Sequence, residues 1–158
     1  MQEKRRLVPV EVNWKAGTYG INIEGSEAEA LTVNTIVTLA DDSEKKLTIT
    51  FESFAECRFF NFNFGEHNYN EFVIQSPEGN FLEDTADWAP YASLFKEKGI
   101  CPNPYFYEVE NTGWFNEKEV YQPLAKKGFT HYLLVGYDSY VEVLAKGVKY
   151  ELDNAEKK

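Results

Sequence analysis

Residues 57 to 72, CRFFNFNFGEHNYNEF, bring a thiol, a guanidinium, an imidazole and carboxylates into one short run. A nucleophilic cysteine acts as its thiolate and needs a neighbouring base. The chain holds 2 histidines, His67 and His131, so a base for Cys57 or Cys101 is scarce. Cys57 lies in an aromatic stretch, and a free cysteine in such a setting is usually core. Cys101 precedes Pro102 in ICPNPYFY, with no base or oxyanion donor beside it in sequence. There is no Gly-x-Ser-x-Gly elbow, Walker loop or dinucleotide fingerprint. The 2 cysteines are too few and too far apart for a disulfide framework or zinc site, so two free thiols are expected. The chain therefore reads as lacking catalytic machinery and, in the main reading, a cofactor.

GEHNYNE, with Gly79 following, resembles the first motif of the cupin family, in which two histidines and a glutamate hold a metal inside a β-barrel. His67 and Glu71 match that motif, and Tyr69 stands where its second histidine belongs. The resemblance implies an alternative reading, a metal-dependent β-barrel enzyme. With His131, the pair His67 and Glu71 would make a facial set suited to ferrous iron. Calcium is a further alternative, because Glu83, Asp84 and Asp87 cluster in NFLEDTADW and calcium takes several oxygen ligands. EF-hand spacing is missing and Asp87 suits a helix cap, so a solvated acidic loop is expected there. A carbohydrate site is the last alternative, although the 3 tryptophans show no pattern that favours it.

Charge excludes one class outright. On a strand, Arg58, Phe60, Phe62 and Phe64 share one face, and Cys57, Phe59, Asn61 and Asn63 the other. RNA-recognition strands also display aromatics, but in a basic surround. The formal net charge here is −10, and Arg5, Arg6 and Arg58 are the chain's arginines. Phe60, Phe62 and Phe64, on one face, are therefore expected to be core, with no nucleic acid as partner. No apolar run approaches the ~20 residues of a membrane helix. The start, MQEKRRLVPVEV, lacks the pattern of a secretory signal, so no membrane and a cytoplasmic home are expected.

The elements that must position these groups are strands. Period-two alternation runs through LTVNTIVTLADDSEKKLTITFESF, where Leu31, Val33, Val37 and Leu39 share a face and Leu47, Ile49 and Phe51 answer them across a polar turn. Shorter signals recur at 7–12, 19–24, 57–64, 71–75, 105–110, 131–137, 140–145 and 148–152. Helical spacing is confined to DWAPYASLFKEKG, with Asp87 as cap and Gly99 as stop, and to NEKEVYQPLAKKG, where Asn116 and Glu119 resemble a capping box and Pro123 forces a short or kinked piece. The pattern predicts one β-rich domain over residues 1–158, frayed at about 1–6 and 153–158. Its fold class is mostly β: a two-layer antiparallel β-sandwich or flattened barrel of about nine strands with one or two short helices.

The segment THYLLVGYDSYVEVLAKG reads as a hairpin. A two-residue loop at Asp138-Ser139 would pair Tyr137 with Tyr140 and Val135 with Glu142. In that register His131 and Glu142 lie roughly 13 Å apart at ~3.3 Å per residue, too far to interact. The face bearing Tyr137, Asp138, Tyr140 and Glu142 is then either covered or a contact surface. The run PYFYEVENTGW adds Tyr107, Glu108, Glu110 and Trp114 as a second candidate patch of aromatics and carboxylates. The function expected from these signals is a non-catalytic acidic interaction protein. It would neutralise a protein with a basic surface in the manner of a bacterial immunity protein, because opposite potentials speed association.

Overall fold

The computed structural model describes residues 3–26 and 29–154. The described residues form two β-sheets. The larger has seven strands in the order β6-β11-β10-β9-β1-β7-β8. These are β1 (Arg5–Pro9), β6 (Glu56–Phe60), β7 (Phe72–Gln75), β8 (Phe81–Glu83), β9 (Phe106–Val109), β10 (Thr130–Val135) and β11 (Tyr140–Ala145). The smaller runs β12-β5-β4-β2, with β3 also on β4; its strands are β2 (Trp14–Lys15), β3 (Asn22–Ser26), β4 (Glu29–Leu39), β5 (Glu44–Glu52) and β12 (Gly147–Asn154). The two sheets are separate, which selects the sandwich over the flattened barrel. Three short helices, α1 (Phe64–His67), α2 (Leu94–Lys98) and α3 (Gln122–Lys126), lie in the connections. None of the described helices is long and apolar enough to cross a membrane.

The main core lies between the sheets and follows from the alternation. Leu31, Val33 and Val37 of β4 and Leu47, Ile49 and Phe51 of β5 point inward, against Phe106, Tyr132, Leu134, Val141, Val143 and Ala145 of the larger sheet. Trp14, fully buried on a strand of two residues, stacks on Phe106 at 5.7 Å. Burying side chains of this size stabilises by about 1.5–3 kcal/mol each. The opposite face of the larger sheet is also covered: Leu7, Phe72, Ile74, Tyr107, Val109, Leu133, Val135 and Tyr140 form a second cluster under Phe64, Phe60 and Trp88. The sheet centre is thus dry on both sides, although only one side faces another sheet.

Several expectations need correction. Arg5 and Arg6 belong to β1 inside the larger sheet, not to a frayed fringe, and β12 continues to Asn154. Residues 1–2 and 155–158 of the expected frayed ends lie outside the described residues. Strand β6 ends at Phe60, and Phe62 is 57 % exposed, not core. Asn116 and Glu119 form no capping box, because the turn at Glu119–Tyr121 starts from Lys118 and Pro123 opens α3. Gly99 ends α2 in the left-handed conformation as the sequence predicts, but α2 starts from Ser93, and Asp87 accepts the Ala89 N–H at 3.0 Å ahead of a separate turn at Ala89–Tyr91.

The β10–β11 register is the correction with chemical consequences. Val135 pairs with Tyr140, Leu133 with Glu142 and His131 with Leu144. The connection spans Gly136–Ser139, closed by the Gly136 N–H donating to Ser139 O at 2.8 Å. Gly136 suits this position because a Cβ there would meet Ile21 Cγ1 at 2.7 Å. Each pairing is displaced by two residues from the expected one, which brings His131 and Glu142 to diagonal positions on one face.

Candidate functional site

On the second face of the larger sheet, β11 presents Tyr140 and Glu142, β10 presents His131, and β1 presents Arg5. His131 and Glu142 are both buried, and His131 Nε2 lies 2.5 Å from Glu142 Oε1. The Arg5 guanidinium closes on the same carboxylate, donating from Nη1 to Oε1 at 2.9 Å and from Nη2 to Oε2 at 3.4 Å. Its Nη2 also donates to Asn68 Oδ1 at 3.3 Å. The other imidazole nitrogen, Nδ1, lies 2.7 Å from Thr112 Oγ1, which itself accepts the Trp114 N–H at 3.0 Å. The Thr112 hydroxyl has one proton to give, and Glu142 is an acceptor, so a neutral His131 carries its proton on Nε2. Burial pushes the imidazole below its ordinary range, against the pull of Glu142. Burial pushes the Glu142 carboxyl up, but the hydrogen bond from His131 and the charge of Arg5 outweigh it and hold the group below its ordinary value. The centre is a neutral imidazole beside an ionised carboxylate.

A second cluster fastens the segment above. Trp114 lies edge-on to His131, 4.6 Å between ring centroids, with the Arg58 guanidinium 4.3 Å from its ring centroid. Glu56 accepts from Arg58, from Trp114 Nε1 at 2.9 Å and from Tyr121 Oη at 2.5 Å. Burial works against ionisation of this carboxyl, yet these donors hold it down at about 2. Arg58 is bound on its other side by Glu117 at 2.6 Å.

Thr112, His131 and Glu142 have the connectivity of a hydroxyl–imidazole–carboxylate relay. Their environment gives the relay nothing to act on. The hydroxyl is occupied by the Trp114 amide, Trp114 covers the ring, and the imidazole and carboxylate are buried. Each polar group has its partner, as buried polar networks require. This network is a structural tie between β1, β10, β11 and the 110–121 segment.

The expected contact residues divide into two sets. Tyr140, Glu142, Tyr107 and Trp114 are buried, because the short helix α1 and the 110–121 segment cover the face that carries them, so they present nothing to a partner. Tyr137, Asp138, Glu108 and Glu110 are exposed. The alternative metal set is not assembled. His131 has both ring nitrogens engaged, His67 Nδ1 lies 2.7 Å from Tyr140 Oη, and among the described residues no group of three or more side chains could hold a metal ion. The same holds for the calcium alternative, where Glu83 pairs with Lys4 at 2.7 Å and Asp87 caps the Ala89 turn. Cys57 and Cys101 are free thiols, and burial pushes Cys57 up to about 11.

What the structure adds is a surface centred on α1. Asn63 caps this one-turn helix by accepting the Glu66 N–H at 3.1 Å, and its Nδ2 donates to Tyr137 O at 3.2 Å, which pins the 136–139 loop beside it. Phe62, just before the helix, lies tilted against His67 with ring centroids 4.4 Å apart and is 57 % exposed. Tyr69, just after it, is 75 % exposed, and Tyr137 is 63 % exposed. Glu66 on α1, Asp138 in the 136–139 loop and Asp84 just after β8 are exposed carboxylates. Behind them a cavity of about 190 Å³ runs between α1 and the ends of β9 and β10, and Tyr137 and Asp84 are among its walls. The sequence marked Tyr137 and Asp138, but Phe62 reads as core from its alternation, and nothing signals that the chain turns into a helix after Phe60. Comparison of the chain with protein-family models, with curated proteins and with solved structures finds no match.

Proposed function

We propose that this is a non-catalytic interaction protein whose aromatic and acidic surface around α1 docks a protein partner with a basic surface. The observation that carries this is the exposure of Phe62, Tyr69 and Tyr137 around one helical turn, on a chain of net charge −10. Tyr and Phe are enriched where proteins meet, since they offer large contact area at low conformational cost. Glu66, Asp84 and Asp138 beside them would steer a cationic partner in. The proposed role is to occupy and neutralise that partner, in the manner of a bacterial immunity protein, within the cytoplasm.

The test is capture from a native lysate by the wild-type chain and by the Phe62→Ser/Tyr137→Ser variant, each at low and at raised salt. Both positions are exposed, so the variant keeps its core. A basic protein held at near-equal stoichiometry by the wild type, lost from the variant and weakened by salt, supports the proposal. Identical captures by the two chains refute it.

A further inference from the structure

We infer that the cavity behind this surface receives the cationic head of a partner's arginine or lysine side chain, with Asp84 as its counter-ion. This inference rests on the interaction reading and names what that surface recognises. The cavity has about 190 Å³ and is lined by Asn63, Gly65, Asp84, Tyr105, Tyr107 and Tyr137, among others. Small-molecule sites commonly occupy about 300–1,000 Å³, so this one has the size of a side-chain head and not of a whole metabolite.

Of the exposed carboxylates at this surface, Asp84 is the one that lines the cavity. Several carboxylates near the larger sheet are engaged: Glu83 holds Lys4, Glu110 holds Arg6, Glu142 holds Arg5, and Glu56 and Glu117 hold Arg58. Asp84 makes no hydrogen bond or ion pair among the described residues, yet it lines this cavity and the two that adjoin it. Its Oδ2 faces the helix beside Gly65, where a Cβ would lie 3.9 Å from it. An unpaired carboxylate at an aromatic-walled recess favours a cation over a neutral or anionic group.

Tyr105 supplies the aromatic wall and is held there at a conformational cost. It adopts the left-handed conformation at φ 63°, uncommon for a bulky residue and recurrent at binding sites. Its ring is seated on the backbone of Gly17, which has φ 101° and where a Cβ would come within 2.6 Å of Tyr105 Cδ2. The ring is also capable of holding a cation: Lys15 Nζ sits 5.4 Å from its centroid, in the adjoining cleft of about 340 Å³ and not in this cavity.

The experiment titrates the isotope-labelled full chain with Nα-acetyl-arginine methylamide, Nα-acetyl-lysine methylamide and glucose, followed by amide chemical shifts. Saturable shifts for a cationic probe at Gly65, Asp84, Gly136 and Tyr137 are expected. Asp84→Asn should weaken the binding by about tenfold or more, since it removes a charge-assisted hydrogen bond. Glu151→Gln, on the far edge of the smaller sheet, should change it by less than about twofold, as expected for a screened distant charge. Shifts spread over many carboxylates, equal binding by Asp84→Asn, or a response to glucose alone would each overturn the inference. In the capture assay, a partner kept by Asp84→Asn and lost by Phe62→Ser/Tyr137→Ser would overturn it too, while leaving the interaction surface intact.

Discussion

Glu142→Ala removes the acceptor at the centre of the buried network, and the structure sets the size of the effect. Breaking a buried pair by deleting one partner costs about 3–5 kcal/mol when the remaining charge is trapped. Here the remaining charge is Arg5, whose side chain is 28 % exposed and still holds Asn68, so it can turn partly to water. His131 is 6 % exposed and cannot, but it is neutral and loses one hydrogen bond from Nε2, worth about 1–3 kcal/mol. These considerations place the loss at about 3 kcal/mol, a large part of the ~5–15 kcal/mol of a typical domain. For a chain of this size that corresponds to a fall in Tm of about 6–12 °C. Urea unfolding followed by tryptophan fluorescence measures it, with an unchanged m-value as the sign that only stability moved. Replacing the whole set by apolar side chains, Arg5→Leu and His131→Phe with Glu142→Leu, should recover much of the loss. A cost below about 1 kcal/mol for Glu142→Ala, as for an exposed ion pair, would refute the account of a sealed network.

Acid should act through the same residues. His131 and Glu142 both have folded-state pKa values below their ordinary ones, so the unfolded chain binds more protons as pH falls past 6.5 for the histidine and past 4.5 for the carboxylate. The urea midpoint of the wild type should therefore fall further between pH 7 and pH 5 than that of His131→Gln; parallel curves would show that His131 does not titrate differently on folding. Gly17→Ala places a Cβ against the Tyr105 ring and imposes φ 101° on alanine, at a cost of about 1–3 kcal/mol. A thermal melt should show a fall of several degrees, and an unchanged Tm would mean that Tyr105 is not held by Gly17.

Alternation is blind to displacements of two residues, and this governs what the sequence revealed. The faces of β10 and β11 follow from it: Tyr132, Leu134, Val141 and Val143 are core, and His131, Leu133, Tyr140 and Glu142 share the other side. A slip of one residue would exchange the faces, but a slip of two leaves every side chain where it was. Asp138-Ser139 is a weak turn signal, since the tight hairpin turns favour glycine, so nothing local chose between the registers. The distance between His131 and Glu142 was therefore lost although their common face was legible. Likewise Leu31, Val33, Leu47 and Ile49 announced the smaller sheet, whereas β2 and β8, of two and three residues, are too short to carry a period. The partner of Glu142 lay beyond reach as well, because Arg5 meets it across 137 residues of chain. The surface around α1 depends on a helix of four residues, and its exposed Phe62 continues a run of alternating aromatics.

Strand β1 lies inside the larger sheet, antiparallel to β9 with Leu7 opposite Val109 and parallel to β7 with Leu7 opposite Ile74. Among the described strands, β7 and β8 reach the rest of that sheet through β1 alone. β1 precedes both of its neighbours in the sequence, β7 first and β9 later, so its second edge stays unpaired until β9 is made. Closing such distant pairings is entropically slow, and an unpaired apolar strand is vulnerable to wrong partners meanwhile. Arg5 and Arg6, charged residues within β1, keep this early segment compatible with water until Glu142 and Glu110 arrive to receive them.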